Sequence, residues 1–104
     1  KAASEAALKE AELAQLHARI DQEVWTAHVR LLEARQAVVQ TEVLEDEATE
    51  TLRFVRARYE AGASTITDLL DAEAALTQAE SGHVQAVLGV QLAGVRLKWA
   101  EGAS

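Results

Sequence analysis

The chain has 104 residues, including 22 Ala and 13 Leu but no Pro or Cys, and a formal net charge of -7. This length allows at most one domain, and the Ala- and Leu-rich composition predicts an all-α fold of long helices or coiled coil. The acidic balance argues against nucleic-acid binding, which needs a basic stripe. The lack of Cys excludes disulfides, thiol nucleophiles and zinc sites built on Cys.

The first predicted element is a helix over residues 3–61, about 60 residues long. Alternating steps of four and three residues define an apolar heptad seam on it, which is polar in the middle at Thr41 and Glu45. The seam positions are Leu13, His17, Ile20, Val24, Ala27, Leu31, Ala34, Val38, Thr41, Glu45, Ala48, Leu52, Val55 and Tyr59.

A short break follows within the stretch RYEAGASTITDLLDAEAALTQAE, residues 58–80. Gly62 is suited to the left-handed conformation that ends a helix. Thr65 and Asp68 have the spacing of a capping box, and Ser64 is an alternative cap. A turn over residues 62–64 is therefore predicted, and so short a connection makes the two helices antiparallel, as in a helical hairpin.

The second predicted helix covers residues 65–101 and is about 37 residues long. Its seam is more regular, because one of the two core positions is always alanine. The seam positions are Leu69, Ala72, Leu76, Ala79, His83, Ala86, Val90, Ala93, Leu97 and Ala100. Gly82, Gly89 and Gly94 lie inside this helix at a cost of roughly 1 kcal/mol each, and we attribute them to close helix approach.

Each helix carries a second apolar line, which predicts neighbouring helices on two sides, as in a bundle or a barrel of helices. These lines are Trp25, Leu32 and Val39 on the first helix, and Leu88, Leu92, Val95 and Trp99 on the second. Facing residues should have numbers that sum to about 126, which leaves residues 1 to about 22 without a partner. The chain begins at Lys1, and we expect it to be a piece of a longer protein that self-associates as an antiparallel hairpin dimer or a higher oligomer.

Chemical motifs are scarce, so no enzymatic activity and no cofactor are expected. Glu80 and His83 have the Glu-x-x-His spacing of di-iron bundles, but such a site needs two of these motifs. His83 is therefore interpreted as an ordinary seam residue, and a metal-binding four-helix bundle made by dimerisation is the minor alternative. Two charge clusters remain, an acidic block (Glu42, Glu45, Asp46, Glu47 and Glu50) and a basic group before the break (Arg53, Arg56 and Arg58). The acidic one is explained by a solvated face of i to i+3 and i to i+4 pairs, whereas the basic one, with Asp68 and Asp71, crowds one end of the hairpin, where a partner could meet it.

The break and its flanks carry a family resemblance. The pattern is an aromatic residue, Gly three residues later, then Ser/Thr-x-x-Asp-x-Leu-x-Ala with Leu and Ala following on the heptad. Here these residues are Tyr59, Gly62, Thr65, Asp68, Leu70, Ala72, Leu76 and Ala79. Together with LAGVRLKWAEG downstream and QEVWTAHVRLLEARQAVV upstream, the chain resembles the second helical repeat of the TolC family of outer-membrane efflux proteins.

The resemblance implies a trimeric channel in which this hairpin forms part of a periplasmic α-barrel in a Gram-negative cell envelope. It implies a tip that meets a periplasmic adaptor protein, with an inner-membrane transporter engaged indirectly, in tripartite efflux or type I secretion. The pore-entrance residues would be Asp68, Asp71 and Tyr59, and the adaptor-facing tip would be Gly62, Ala63, Ser64 and Thr65. Some members have arginine where this chain has Ser64, so Arg56 or Arg58 is the candidate for the gating ion pair. The alternative function is a periplasmic adaptor or scaffold hairpin that works only by protein–protein binding.

Overall fold

The computed structural model describes residues 2–103 and contains two helices, α1 (Ala2–Glu60) and α2 (Ile66–Ala103). The described chain is 89 Å long and only 17 × 14 Å in cross-section. It forms a long antiparallel helical hairpin, and no strand occurs within residues 2–103. The predicted all-α hairpin fold, with one helix much longer than the other, is confirmed.

The connection between the helices is longer than the predicted turn at 62–64, because it covers residues 61–65. Thr65 lies outside α2, where its side chain accepts a hydrogen bond from the first helical turn, as an N-cap residue does. Ala61 still donates its N–H to the Ala57 carbonyl at 3.1 Å but already belongs to the turn. The helix ends therefore differ from the predicted ends by one or two residues.

The heptad seam packs the two helices together along almost their whole shared length. On α1 every seam position from Ile20 to Val55 is buried or half-buried, and on α2 the same holds from Leu69 to Ala100. Leu52, Ala72 and Leu97 are the most buried apolar residues in the described part of the chain. Alanine at alternate core positions keeps this interface thin, so the hairpin buries few large side chains completely.

The stretch predicted to lack a partner at the start of α1 is exposed, and the predicted seam is wrong at its other end, near the turn. Leu13 and His17 are exposed because α2 ends before it reaches their level, and residues 2–19 lie wholly exposed as a single helix. We call this segment the overhang. Tyr59 is 39% exposed, because at the turn α2 no longer faces it. The two-helix interface thus begins at Ile20 and ends at Val55.

A polar layer interrupts the seam near its middle. The Thr41 hydroxyl donates to the Val38 carbonyl at 2.9 Å, and the same oxygen lies 3.1 Å from His83 Nδ1. A hydroxyl that donates to the Val38 carbonyl can at the same time accept from a His83 Nδ1–H, so one assignment of roles satisfies both contacts. Contacts between residues 41 and 83, 28 and 101, and 56 and 73 agree with a pairing sum of about 126.

The outer apolar lines have no partner among the described residues. Trp25 is 69% exposed and Trp99 is 76% exposed, and the other members of both lines are exposed as well. The close helix approach to which we attribute the glycines of α2 does not occur within the hairpin. A Cβ placed on Gly82, Gly89 or Gly94 would meet no atom within 4 Å. Space within the hairpin therefore does not require glycine at these positions.

Candidate functional site at the hairpin tip

The chain reverses direction through a Schellman motif at the end of α1. Gly62 has φ +79°, the left-handed conformation that a Cβ would strain. Its N–H donates to the Tyr59 carbonyl at 3.0 Å, and the Ala63 N–H donates to the Arg58 carbonyl at 2.8 Å. These two bonds satisfy carbonyls that the end of a helix leaves without a partner. The tip backbone is therefore held by its own hydrogen bonds.

A reciprocal capping box starts α2 on the other side of the turn. The Asp68 N–H donates to Thr65 Oγ1 at 3.1 Å, and the Thr65 N–H donates to Asp68 Oδ2 at 3.2 Å. The carboxylate of Asp68 also lies in the first turn, where the helix dipole favours negative charge. The predicted pairing of Thr65 with Asp68 is present, and Ser64 is half-buried beside it.

Arg58 ties the turn to α1 through its side chain. Its Nη2 donates to the Ala63 carbonyl at 3.1 Å, and its guanidinium carbon lies 5.6 Å from the centre of the Phe54 ring. An arginine over an aromatic face at this distance forms a cation–π contact. The sequence interpretation missed this role, although the i to i+4 spacing of Phe54 and Arg58 was the signal that could have shown it.

Arg56, the other candidate for a gating ion pair, also has a partner within the hairpin. Its Nη2 lies 3.9 Å from Glu73 Oε1 on α2, and both side chains are about half exposed. An ion pair of this length and exposure contributes little to stability. Neither Arg56 nor Arg58 forms an ion pair with Asp68 or Asp71 in the described part of the chain.

The remaining predicted tip residues line or flank an open groove between the helices. This tip groove has a volume of about 450 Å³, and its lining includes Phe54, Arg58, Ser64, Asp68 and Asp71. Asp71 is exposed and makes no ion pair or hydrogen bond with the other described residues. Tyr59 lies outside the lining of the groove. The site thus presents carboxylates on a rigid turn, an arrangement suited to binding.

Metal chemistry finds no support in the described part of the chain. Nowhere in residues 2–103 do three or more His, Asp or Glu side chains converge closely enough to hold a metal ion. The Glu-x-x-His motif of the metal-bundle alternative places His83 in the seam, where its Nδ1 bonds to Thr41. A single chain therefore supplies no preformed metal centre among these residues.

Comparison of the chain with protein-family models, with curated proteins and with solved structures finds no match. Neither α1 nor α2, over residues 2–103, has a stretch both long and apolar enough to cross a bilayer as a helix. An account of function consequently depends on the geometry of the tip and on the unpartnered faces of the two helices.

Proposed function

We propose that this chain is the periplasmic coiled-coil segment of a TolC-like outer-membrane channel, with the turn as the pore entrance and the adaptor-docking tip. The single observation that carries the proposal is the construction of the tip. A Schellman turn and a capping box hold Asp68 in place, and Asp71 lies one turn further along α2 with its carboxylate exposed. A rigid turn that presents two carboxylates fits a ring of acids repeated around a narrow aperture.

The unpartnered faces support a place in the wall of a barrel. In an α-barrel each helix contacts one neighbour on either side, and this hairpin fills only one side of each helix. Trp25 on α1 and Trp99 on α2 belong to exposed apolar lines. Additional helices from the parent protein and from its other subunits would cover these lines. The proposed oligomer in the parent is a trimer in the periplasm of a Gram-negative cell.

The proposed roles of the tip residues follow from this placement. Asp68 and Asp71 would face the pore, and Tyr59 would help to hold the entrance shut. Residues 62–65 would contact a periplasmic adaptor protein and, through it, an inner-membrane transporter. Arg58 would act as a support for the turn, because its guanidinium already bonds to the Ala63 carbonyl. The chain would bind and conduct without catalysing a reaction.

The decisive experiment uses the full-length parent protein in a planar bilayer. Neutralising both tip acids, as Asp68→Asn with Asp71→Asn, should remove block by added multivalent cations and change the conductance. Asparagine at position 68 keeps an oxygen that can accept the Thr65 N–H, so the capping box survives. The matched control is Glu42→Gln with Glu47→Gln, which removes the same charge from α1 away from the tip.

Two outcomes would contradict the proposal. One is a parent reading frame that surrounds this hairpin with lipoyl-like and barrel segments, which would favour the adaptor function. The other is cation block that is unchanged by the tip pair of substitutions, or changed equally by the control pair. Either result would mean that Asp68 and Asp71 do not line a pore.

A further inference from the structure

A second groove lies between the helices at the end far from the tip. It has a volume of about 900 Å³, and we call it the arginine groove because Arg19, Arg30 and Arg96 line it. Two glutamates, Glu23 and Glu33, line it as well, so its charged groups sum to a net positive charge. In a chain of formal charge -7, such a surface is unusual.

The arginines of this groove lack the partners that the tip arginines have. Near the tip, Arg53 pairs with Glu50 at 2.7 Å, and Arg56 and Arg58 also have partners. None of the three groove arginines makes an ion pair or a hydrogen bond with another described residue. Three guanidinium groups in one groove without bound carboxylates can accept an acidic partner from outside.

The pairing of the helices makes the positive charge denser. Arg30 and Arg96 have numbers that sum to the pairing value of about 126, so they lie at the same level on opposite helices. Like charges that face each other across an interface are unfavourable. A carboxylate placed between them would replace repulsion by two favourable contacts.

The tip groove carries the opposite charge on the same side of the hairpin. Its lining contains Asp68 and Asp71 against one arginine, Arg58. Residues separated by whole heptads lie on the same side of a coiled-coil helix. Arg30 and Arg58 are four heptads apart on α1, and Asp68 and Arg96 are four heptads apart on α2. The two grooves therefore lie on one side of the hairpin. The two groove centres are about 28 residues apart, or about 42 Å at 1.5 Å per residue.

Both grooves also contain exposed apolar side chains that a partner could cover. Leu92 lines the arginine groove and is 52% exposed, and Phe54 lines the tip groove and is 62% exposed. Contacts of this kind, surrounded by complementary charge, are typical of the centre and rim of a protein interface. The side that carries both grooves therefore combines exposed apolar residues with a positive groove at one end and a negative groove at the other.

We propose that this side is a self-docking surface, on which a second copy of the chain lies antiparallel with its tip groove against the arginine groove. A two-fold axis near the Thr41–His83 layer would set α2 against α2 and bring Asp71 of each copy opposite Arg96 in the other, with Arg30 at the same level on α1. In such an isologous interface every contact is made twice. The second hairpin would follow the winding of the first, because the heptad positions that form this side wind with the supercoil.

The inference concerns association of the free chain; in the proposed parent channel, whose copies would run parallel, Asp71 would face the pore instead. A parallel pair in register would place like groove on like groove, and the charge pattern disfavours it. The acidic partner could in principle be another protein, but the present chain carries a matching acidic surface at the required spacing. That internal match selects a second copy as the occupant.

A charge-swap experiment tests this arrangement by sedimentation equilibrium. Arg96→Glu alone and Asp71→Arg alone should each weaken self-association by roughly tenfold or more, because each places like charges together twice per dimer. An equimolar mixture of the two variants should associate about as well as the wild type, since both contacts in the mixed dimer join opposite charges. The double variant should also recover self-association.

The controls carry the same changes of charge on residues outside both grooves. Arg35→Glu and Asp46→Arg should leave association within about twofold of the wild type. Circular dichroism checks that every variant remains helical. Added salt should weaken the wild-type dimer. A wild-type chain that stays monomeric at micromolar concentration, a mixture no tighter than its components, or controls as weak as the groove variants would each overturn the proposal.

Discussion

Replacing glycine by alanine should have opposite effects on stability at the tip and in the interior of α2, because the backbone conformation differs between the two places. Gly62 has φ +79°, whereas Gly94 lies inside a helix. A Cβ added at either position meets no atom within 4 Å. Steric contact therefore contributes nothing at either site, and the difference between Gly62→Ala and Gly94→Ala measures backbone conformation alone.

The magnitudes follow from the two conformations. Alanine in the left-handed region costs roughly 1–2 kcal/mol, so Gly62→Ala should lower the free energy of unfolding by about that amount. Alanine in a helix interior is better than glycine by roughly 1 kcal/mol, so Gly94→Ala should raise it. For a chain of this size, each 1 kcal/mol shifts the melting temperature by about 4–8 °C.

Thermal and urea unfolding are followed by circular dichroism at about 222 nm, where the signal reports the helix content of the chain. All variants are compared at one chain concentration, because self-association makes the melting temperature depend on concentration. Gly94 is preferred to Gly89, which lines the arginine groove. A Gly62→Ala chain as stable as the wild type, or a Gly94→Ala chain that is less stable, would refute the reasoning.

Three further predictions concern the cap, an ion pair and the polar layer. Thr65→Ala should cost about 1 kcal/mol in the free energy of unfolding, and Thr65→Ser should cost much less, because serine keeps the capping oxygen; equal losses would contradict the capping role. Arg56→Gln should change stability by less than about 0.5 kcal/mol, because its pair with Glu73 is long and half exposed; a loss well above 1 kcal/mol by urea unfolding would contradict this. Thr41→Val combined with His83→Leu should leave the hairpin as stable or more stable while allowing its register to slip. Cross-linking of cysteines introduced at facing positions would show the slip, and one unchanged pattern of cross-links would contradict it.

The sequence predicted the fold well where local chemistry and periodicity agree. The heptad seam identified the buried face of both helices, and Gly62, Thr65 and Asp68 identified the turn and its cap. These features depend on residues that are close together in the sequence, so they can be predicted from the sequence alone. The pairing sum correctly placed Leu13 and His17 beyond the end of α2, but the seam prediction was wrong at Tyr59, because a periodic pattern does not show where two helices stop packing.

Features that depend on the space between the helices were harder to predict. The open space beside Gly94, which a Cβ could occupy without meeting the facing helix, became visible only when both helices were placed. The arginine groove was missed for a related reason, because Arg30 and Arg96 are far apart in sequence and come to one level only across the hairpin. The pairing sum of about 126 could have brought Arg30 and Arg96 together, since both lie next to seam positions. The roles proposed for Asp68, Asp71 and Tyr59 in a channel stay predictions.

The overhang and the tight turn together give the hairpin a direction of folding. Contacts beside the turn close loops of a few residues, whereas the contact of His28 with Glu101 closes one of more than seventy. Loop-closure entropy favours formation of the tip first, and pairing then propagates toward the open end. The open end should in turn be the first part to separate, with residues 2–19 exchanging their amide hydrogens fastest and those near Leu52 slowest. The tip would thus be both the nucleus of folding and the last interhelical contact to be lost.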